Sequence, residues 1–508
     1  MSDVIPIMQT PASLSRWLVA VSRLGFVGMA LGLAVFYKSH DLPVMLIGLL
    51  IFGLFALLQP DLALLFVLGT VPLFMIPAQI DGLRAQPVRL PLHEVALLLV
   101  TGAGVVRWLG SYVWNGTQLE WAALRRLPGA VRRWSASHIP AVILLLAGVL
   151  GVVWAVPEGR SAALRELRWL IIEPLLFYIL LTAAFRRRGA LGKRSRAYAL
   201  GAFILSGSVV AVVGLLQFIG VDLVWFFGAK QVAVASIVDA PGLWRVTSVY
   251  GSPNNLGLYL GRVWPLAAVM FMAAWKAKPA GTYYHWKHTG LFAIATLLCL
   301  TGLIVSFSRG AWLGMGTALL VLVFPQIRRH HSRRRVVGVI ALGFTLALII
   351  GLAFSLRGGI TSANPLMRLS FWREALMLIQ QHPLGIGLDQ FFYYHNPVYG
   401  RSLLSPLELT TVDTTAAHPH NLILDFWLRV GPLGSAACAW LLWRFFQQTR
   451  AQNRANQDGY SAWLARGALA AMAAALVHGL VDNFYFVPDL AFAFWLLLAL
   501  AETYRAEP

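Results

Sequence analysis

The chain has 508 residues, 58% of them hydrophobic and only 12% charged, with a mean hydropathy of +0.69. This excludes a soluble protein of that size and predicts an all-α, polytopic integral membrane helix bundle, one domain over residues 1–508. The net charge of +20 is carried by short basic bursts between apolar runs, a pattern that implies a lipid bilayer as partner and excludes nucleic acid.

The N-terminus, "MSDVIPIMQTPASLSRWLVA", has no small-residue cleavage site and runs into a first span that stays as an anchor. Apolar runs predict about 12–14 transmembrane helices. They lie near 17–37, 43–59, 61–78, 89–109, 139–156, 166–185, 197–219, 254–275, 287–306, 308–325, 335–354, 420–446, 461–481 and 485–503. Basic bursts at 125–134, 186–196, 276–287 and 328–335, with Arg444, Arg450 and Arg454, fall between every second pair of spans. Those loops and both termini are therefore expected in the cytoplasm, and the connections near 220–253 and 355–419 outside. Cys299 and Cys438 lie within apolar segments and read as small buried hydrophobes, neither a disulfide nor a zinc site.

Three segments that start helices at the outer face are unusually polar. In "WRVTSVYGSPNNLGLYLGRVWPL", from Trp244, Ser252 can cap and Pro253 fits the first helical position. In "TGLIVSFSRGAWLGMG", two apolar runs meet at Ser308, Arg309 and Gly310 with almost no loop. In "AAHPHNLILDFWLRVGPLG", residues 416–434, Pro419 fits the first helical position and His420 lands in the first turn. Helix starts present unpaired N–H groups and a positive dipole end, and Arg245 and Arg309 add planar forks suited to phosphate oxygens. A diphosphate fits, with Asn254, Ser308, His418 and Asn421 as supporting polar groups. Beside such positive charge His420 is expected to stay neutral and accept a proton from a hydroxyl. The bland readings are a snorkelling anchor for each arginine and a capping role for His420. Asp425 and Arg429, four apart, share a helix face and read as a structural intramembrane ion pair. No further His or Cys is placed near His418 and His420 to complete a zinc site, so no metal is expected.

Glu94, Glu173, Arg262, His478, Asp482 and Asn483 also lie in or beside spans, most of them in the outer half, which suggests a polar cleft opening outward. Glu94, Glu173 and Asp482 could either neutralise or orient the arginines. The stretch 363–400 contains one helical piece, "RLSFWREALMLIQQ", then a Pro/Gly turn and an aromatic run. It reads either as a lid or acceptor platform or as a packed cap.

The segments "TGLIVSFSRGAWLG", "QHPLGIGLDQF", "AHPHNLILDFWLRVGPLG" and "HGLVDNFYFVPDLAFAFWLLLALA", in this order over about residues 245–500, resemble the O-antigen ligase and O-antigen polymerase family. The resemblance implies glycosyl transfer without a metal or other cofactor, on the outer face of the bacterial inner membrane. Its donor would be a glycan on a polyprenyl diphosphate, commonly undecaprenyl diphosphate. The acceptor would be a sugar or lipid-linked hydroxyl, for ligases one on the lipid A-core of lipopolysaccharide. Carried over, Arg245 and Arg309 match the diphosphate-gripping arginines and His420 the catalytic histidine, with the choice between His418 and His420 left open. Ligase, polymerase and protein O-oligosaccharyltransferase are not separated, and a transporter or flippase of lipid-linked glycan is the rival from another class.

Overall fold

The computed structural model describes residues 12–80, 88–114, 138–187, 189–221, 223, 237–240, 243–276, 283–330, 365–410, 412–455 and 460–502. The span expected near 335–354 and the basic burst at 125–134 lie outside these residues. The others fall on helices: α1 (Ala12–Lys38), α2 (Leu42–Leu58), α3 (Pro60–Thr70), α4 (Leu92–Trp114), α5 (His138–Val153), α6 (Arg160–Glu166), α7 (Glu173–Phe185), α8 (Ala190–Phe218), α9 (Pro253–Lys276), α10 (Tyr283–Val305) and α11 (Arg309–His330). After the segment that includes α12 (Pro365–Gln381), α13 (Phe391–His395) and α14 (Pro406–Leu409) come α15 (Leu422–Ala455), α16 (Tyr460–Gly479) and α17 (Pro488–Glu502). Among the described residues, seven helices are long and apolar enough to cross a membrane, accompanied by four shorter apolar ones. The chain is a multi-pass, all-α membrane protein. Strand pairing among the described residues is confined to two short antiparallel ribbons, β1 (Ala78–Ile80) with β2 (Val88–Leu90) and β3 (Ile237–Ala240) with β4 (Leu243–Arg245).

A helix that is apolar all round belongs in the middle of a bundle. The α17 helix is one: residues 488–501 are all buried, and it packs against α7, α9, α15 and α16. The run expected as one span near 61–78 divides instead. The α3 helix stops at Thr70, Pro72 begins a 3-10 turn over Val71–Met75, and β1 follows. Between α6 and α7 the backbone makes a π-helical turn, Leu167–Ile172.

Helix α15 is broken at Gly431, whose backbone (φ 65°, ψ −171°) is not helical. Its sequence explains the break. Pro432 has no N–H for the carbonyl of Leu428, and that carbonyl instead accepts the amides of Ile386 at 2.8 Å and Gly387 at 3.1 Å. A Cβ on Gly431 would stand 2.3 Å from the Leu384 carbonyl oxygen, so only glycine lets these segments meet. The polar start of α15, residues 422–430, is thereby stitched to the segment that holds α12, α13 and α14. Phe371, Ala375, Leu378, Ile386, Phe391, Ala416 and Leu428 give this cap a small apolar core of its own.

Candidate active site

Arg245 ends β4 and is buried; its Nε donates to the Ser306 carbonyl at 3.3 Å and its Nη2 to Asn254 Oδ1 at 3.4 Å. Asn254 sits in the first turn of α9, where Ser252 Oγ accepts its amide at 3.2 Å. Ser306 belongs to the three-residue connection between α10 and α11, which turns through Phe307 at a positive φ of 48°. Ser308 Oγ then accepts the Ala311 amide at 3.4 Å and lies 3.5 Å from His478 Nε2. Arg309 is the first residue of α11 and half-buried. Arg245 thus reaches, from another element, the tight turn that Arg309 follows.

Asp482 joins this turn to the histidines. Its Oδ2 accepts Asn254 Nδ2 at 2.7 Å, and its Oδ1 lies 3.3 Å from His420 Nδ1 and accepts the Asn483 amide at 2.8 Å. His420 precedes α15 in a left-handed conformation, φ 53°, uncommon for a residue with a side chain. Its amide donates to His418 Nδ1 at 3.3 Å, and the two rings stand 4.2 Å apart. Asn421 is the cap of α15: its Oδ1 accepts the amides of Ile423 at 3.0 Å and Leu424 at 3.2 Å, while its Nδ2 donates to the Leu480 carbonyl at 3.1 Å. The helix therefore starts at Leu422, three residues after Pro419, and neither Pro419 nor His420 is in its first turn.

Electrostatics separate these groups. Burial works against the Asp482 carboxylate, yet the hydrogen bond and charge of His420, with the Arg368 guanidinium, outweigh it and hold the carboxyl well below the usual carboxylate range. Burial, reinforced by His420, pushes His418 well below the usual histidine value, which keeps it neutral.

Sequence reasoning missed the contribution of α12. Arg368, Phe371 and Trp372 share one face of this helix by the spacing of three and four. Arg368 Nη2 donates to Asp482 Oδ2 at 3.5 Å, the Phe371 ring lies 5.9 Å from that of His420, and Trp372 Nε1 donates to the His420 carbonyl at 3.4 Å. In the sequence Arg368 looks like any polar-face residue of an amphipathic helix.

Asp425 and Arg429 do pair, Nε to Oδ1 at 2.7 Å, but in a wider group than a single ion pair. Arg429 Nη1 donates to Glu166 of α6 and lies 4.0 Å from Asp389 Oδ1. Its Nη2 donates to the Ala417 carbonyl at 3.3 Å, one residue before His418, and its guanidinium stands 4.8 Å over the Phe486 ring.

His418, His420 and Asp482 offer ligand atoms within 4.8 Å of one another, so the fold supplies the third group that the sequence did not. Asp482 accepts from Asn254 and Arg368, and His418 Nδ1 accepts a backbone amide. A divalent cation there would sit beside the Arg368 guanidinium, whose charge opposes it.

Residues 294–439 match the family model described as O-antigen ligase. The chain carries an O-antigen ligase domain. No curated protein matches it. The O-antigen ligase domain runs from within α10, through α11 and the cap, into the second part of α15. Arg309, Arg368, His418, His420 and Asn421 therefore lie inside it, while Arg245, Asn254 and Asp482 are brought to it by flanking elements.

One expected supporting residue stands apart from the domain's polar group. Glu173 opens α7 and pairs with Arg168 at 3.4 Å, with His93 Nε2 at 4.0 Å. Arg168 also reaches Glu94 at 3.2 Å, and Trp169 Nε1 donates to the same carboxylate at 3.2 Å. Glu94 and Glu173 thus neutralise Arg168 of the π-helical turn, and none of these contacts involves Arg245 or Arg309.

Proposed function

We propose that the chain is a glycosyltransferase that moves a glycan from a polyprenyl diphosphate, of the undecaprenyl type, to an acceptor hydroxyl, with inversion and without a metal. It would act on the outer face of a bacterial inner membrane, both termini inside. The observation that carries this reading is the Asp482–His420 pair facing Arg368 and, through Asn254, Arg245. With Nδ1 directed at Asp482, the ring keeps its proton on that side and offers Nε2 as the base. Nε2 takes the acceptor proton, the freed oxygen bonds to the anomeric carbon, and the bond from that carbon to the phosphate oxygen breaks. The electron pair leaves with the diphosphate, whose charge Arg245, Arg309 and the start of α11 meet. His418, whose Nδ1 accepts the His420 amide and which has no carboxylate among the described residues orienting its ring as Asp482 orients His420, is assigned the shaping of the loop. The cap beside His420 is where acceptor choice, ligase or polymerase, would reside.

The test is transfer by purified protein with lipid-linked glycan and a chelator, comparing wild type with His420→Ala and Arg309→Ala. Transfer that survives chelation is expected, with a loss of about 10²–10³ for the arginine variant. Movement of donor across vesicles with no transfer to any acceptor would overturn the reading in favour of a transporter. A product with retained anomeric configuration would remove the single displacement.

A further inference from the structure

The cap holds a buried charged pair for which the proposed chemistry has no use. His395 of α13 and Glu374 of α12 are both fully enclosed. Nδ1 of His395 lies 2.6 Å from Glu374 Oε2, and Nε2 lies 2.9 Å from the Asp413 carbonyl oxygen. A neutral imidazole carries one N–H, and here each ring nitrogen faces an oxygen, so beside a Glu374 carboxylate both bonds are made only by the imidazolium. The other oxygen of Glu374 accepts from the Ser402 hydroxyl at 2.8 Å and the Leu403 amide at 3.2 Å. Phe391 stacks on the imidazole with centroids 5.4 Å apart, and Phe371 meets it edge-on at 5.1 Å. One ion pair therefore ties together α12, α13, the 402–403 stretch and the loop through Asp413 that leads to His418 and His420.

The same α12 touches the site through Arg368, Phe371 and Trp372, and Phe371 stands between the two histidine rings, in contact with both. We infer that Glu374 and His395 are positioning residues for His420: their ion pair fixes α12 against the site, and loss of the His395 proton as pH rises releases it. This inference rests on the role of His420 proposed above. Burial alone would lower His395, but the bond and charge of Glu374, with the Asp413 carbonyl, outweigh it and raise the group above its ordinary value. The titratable groups around it are Glu374 on α12, Asp413 on the loop, Tyr394 beside it on α13, and His420 beyond Phe371. Asp413 is held low by the Thr415 hydroxyl and remains a carboxylate throughout. A histidine raised in the folded protein contributes fully below its unfolded value of about 6.5, and that contribution is lost as pH rises through the folded value. Beyond it Glu374 is a buried carboxylate without a counter-charge.

Glu374→Gln separates charge from shape. The amide nitrogen can donate to Nδ1 of a neutral His395, whose Nε2–H still donates to Asp413, while the amide oxygen keeps Ser402 and Leu403. Full-length protein in detergent is measured across pH in two ways: kcat and KM with lipid-linked glycan, and proteolytic cleavage of the cap without donor. In wild type, kcat is expected to fall about tenfold per pH unit once the proton is lost, with KM little changed. Cleavage rises over the same range. In Glu374→Gln both changes are expected to be absent; a wild-type alkaline limb in this variant would overturn the inference. Phe371→Leu keeps the ion pair but removes the ring between it and His420. It is expected to retain the alkaline rise in cleavage and to lower kcat at every pH, and wild-type kcat in it would overturn the coupling. Absence of transfer at every pH, with cleavage behaving as expected, would count against the transferase reading and leave the latch standing.

Discussion

Two groups of opposite charges flank the start of α15, and they differ in what they leave open. Around Asp482, the carboxylate is enclosed while its partners are not: the side chains of His420 and Arg368 are 27% and 23% exposed. Around Arg429, the arginine and both of its nearest carboxylates, Asp425 and Glu166, are all buried, at 4%, 2% and 11%. The first group presents a proton acceptor and a cation to whatever occupies the space beside it. The second pairs its charges with one another, leaves one oxygen each of Glu166 and Asp425 buried without a hydrogen bond, and donates from Arg429 Nη2 to the Ala417 carbonyl. Chemistry needs a buried orienting carboxylate behind a reachable base, whereas anchoring needs closure. The two arrangements sit within one stretch of chain, and the closed one holds the loop that carries the open one.

The comparison can be broken at either group. On the proposed mechanism His420→Ala removes the base, and transfer is expected to fall by about 10²–10⁴ with donor binding retained. Asp482→Asn should lower kcat by less and leave donor affinity near wild type, because Asn254 and Arg368 keep a polar partner; steady-state kinetics separates the two. Arg429→Met is expected to act on stability instead. It strands Glu166 and Asp425 as buried carboxylates, a loss of about 3–5 kcal/mol in thermal unfolding. Adding Glu166→Gln and Asp425→Asn to Arg429→Met should recover most of that loss. Equal unfolding temperatures for wild type and Arg429→Met would place the group among the dispensable ion pairs.

What the sequence disclosed follows from the range of each interaction. The helices were legible because an apolar run of membrane length has few other uses. Asn254, Ser308, Arg309, His420 and Asn421 were legible because each sits at or just before a helix start, where local polarity stands out against apolar flanks; Arg245 drew notice in the same polar segment as Asn254, although it ends β4. Asp482 drew notice as a charge beside a span, although its position behind His420 depends on the turn before α17 meeting the start of α15. Arg368, Glu166 and Asp389 were not legible, since each meets its partner only through tertiary packing across long stretches of chain. Glu173 shows the converse, a striking intramembrane carboxylate whose partner, Arg168, was five residues away all along. The break in α15 did carry a local signal: Gly431 followed by Pro432 interrupts the helical pattern.

Smaller changes sharpen the contrast by touching the scaffold of the open group alone. A Cβ on Gly310 would lie 2.3 Å from His478 Cδ2, so Gly310→Ala must move that ring, at a cost of about 1–3 kcal/mol. Because Gly310 follows Arg309, the variant should also weaken donor binding, which binding of lipid-linked glycan would register.

Asn421 is the finest probe, since it holds His420's neighbourhood without entering the chemistry. It caps α15 and, through Nδ2, ties that helix start to the Leu480 carbonyl, two residues before Asp482. Asn421→Ala is expected to cost about 1 kcal/mol in stability. Asn421→Asp restores the cap but not the donor to Leu480. If the tie matters for keeping His420 and Asp482 in register, the aspartate variant will regain stability while its kcat stays low. If both recover together, the cap alone sets the loop, and the separation of His420 from Asp482 is governed by their own hydrogen bond.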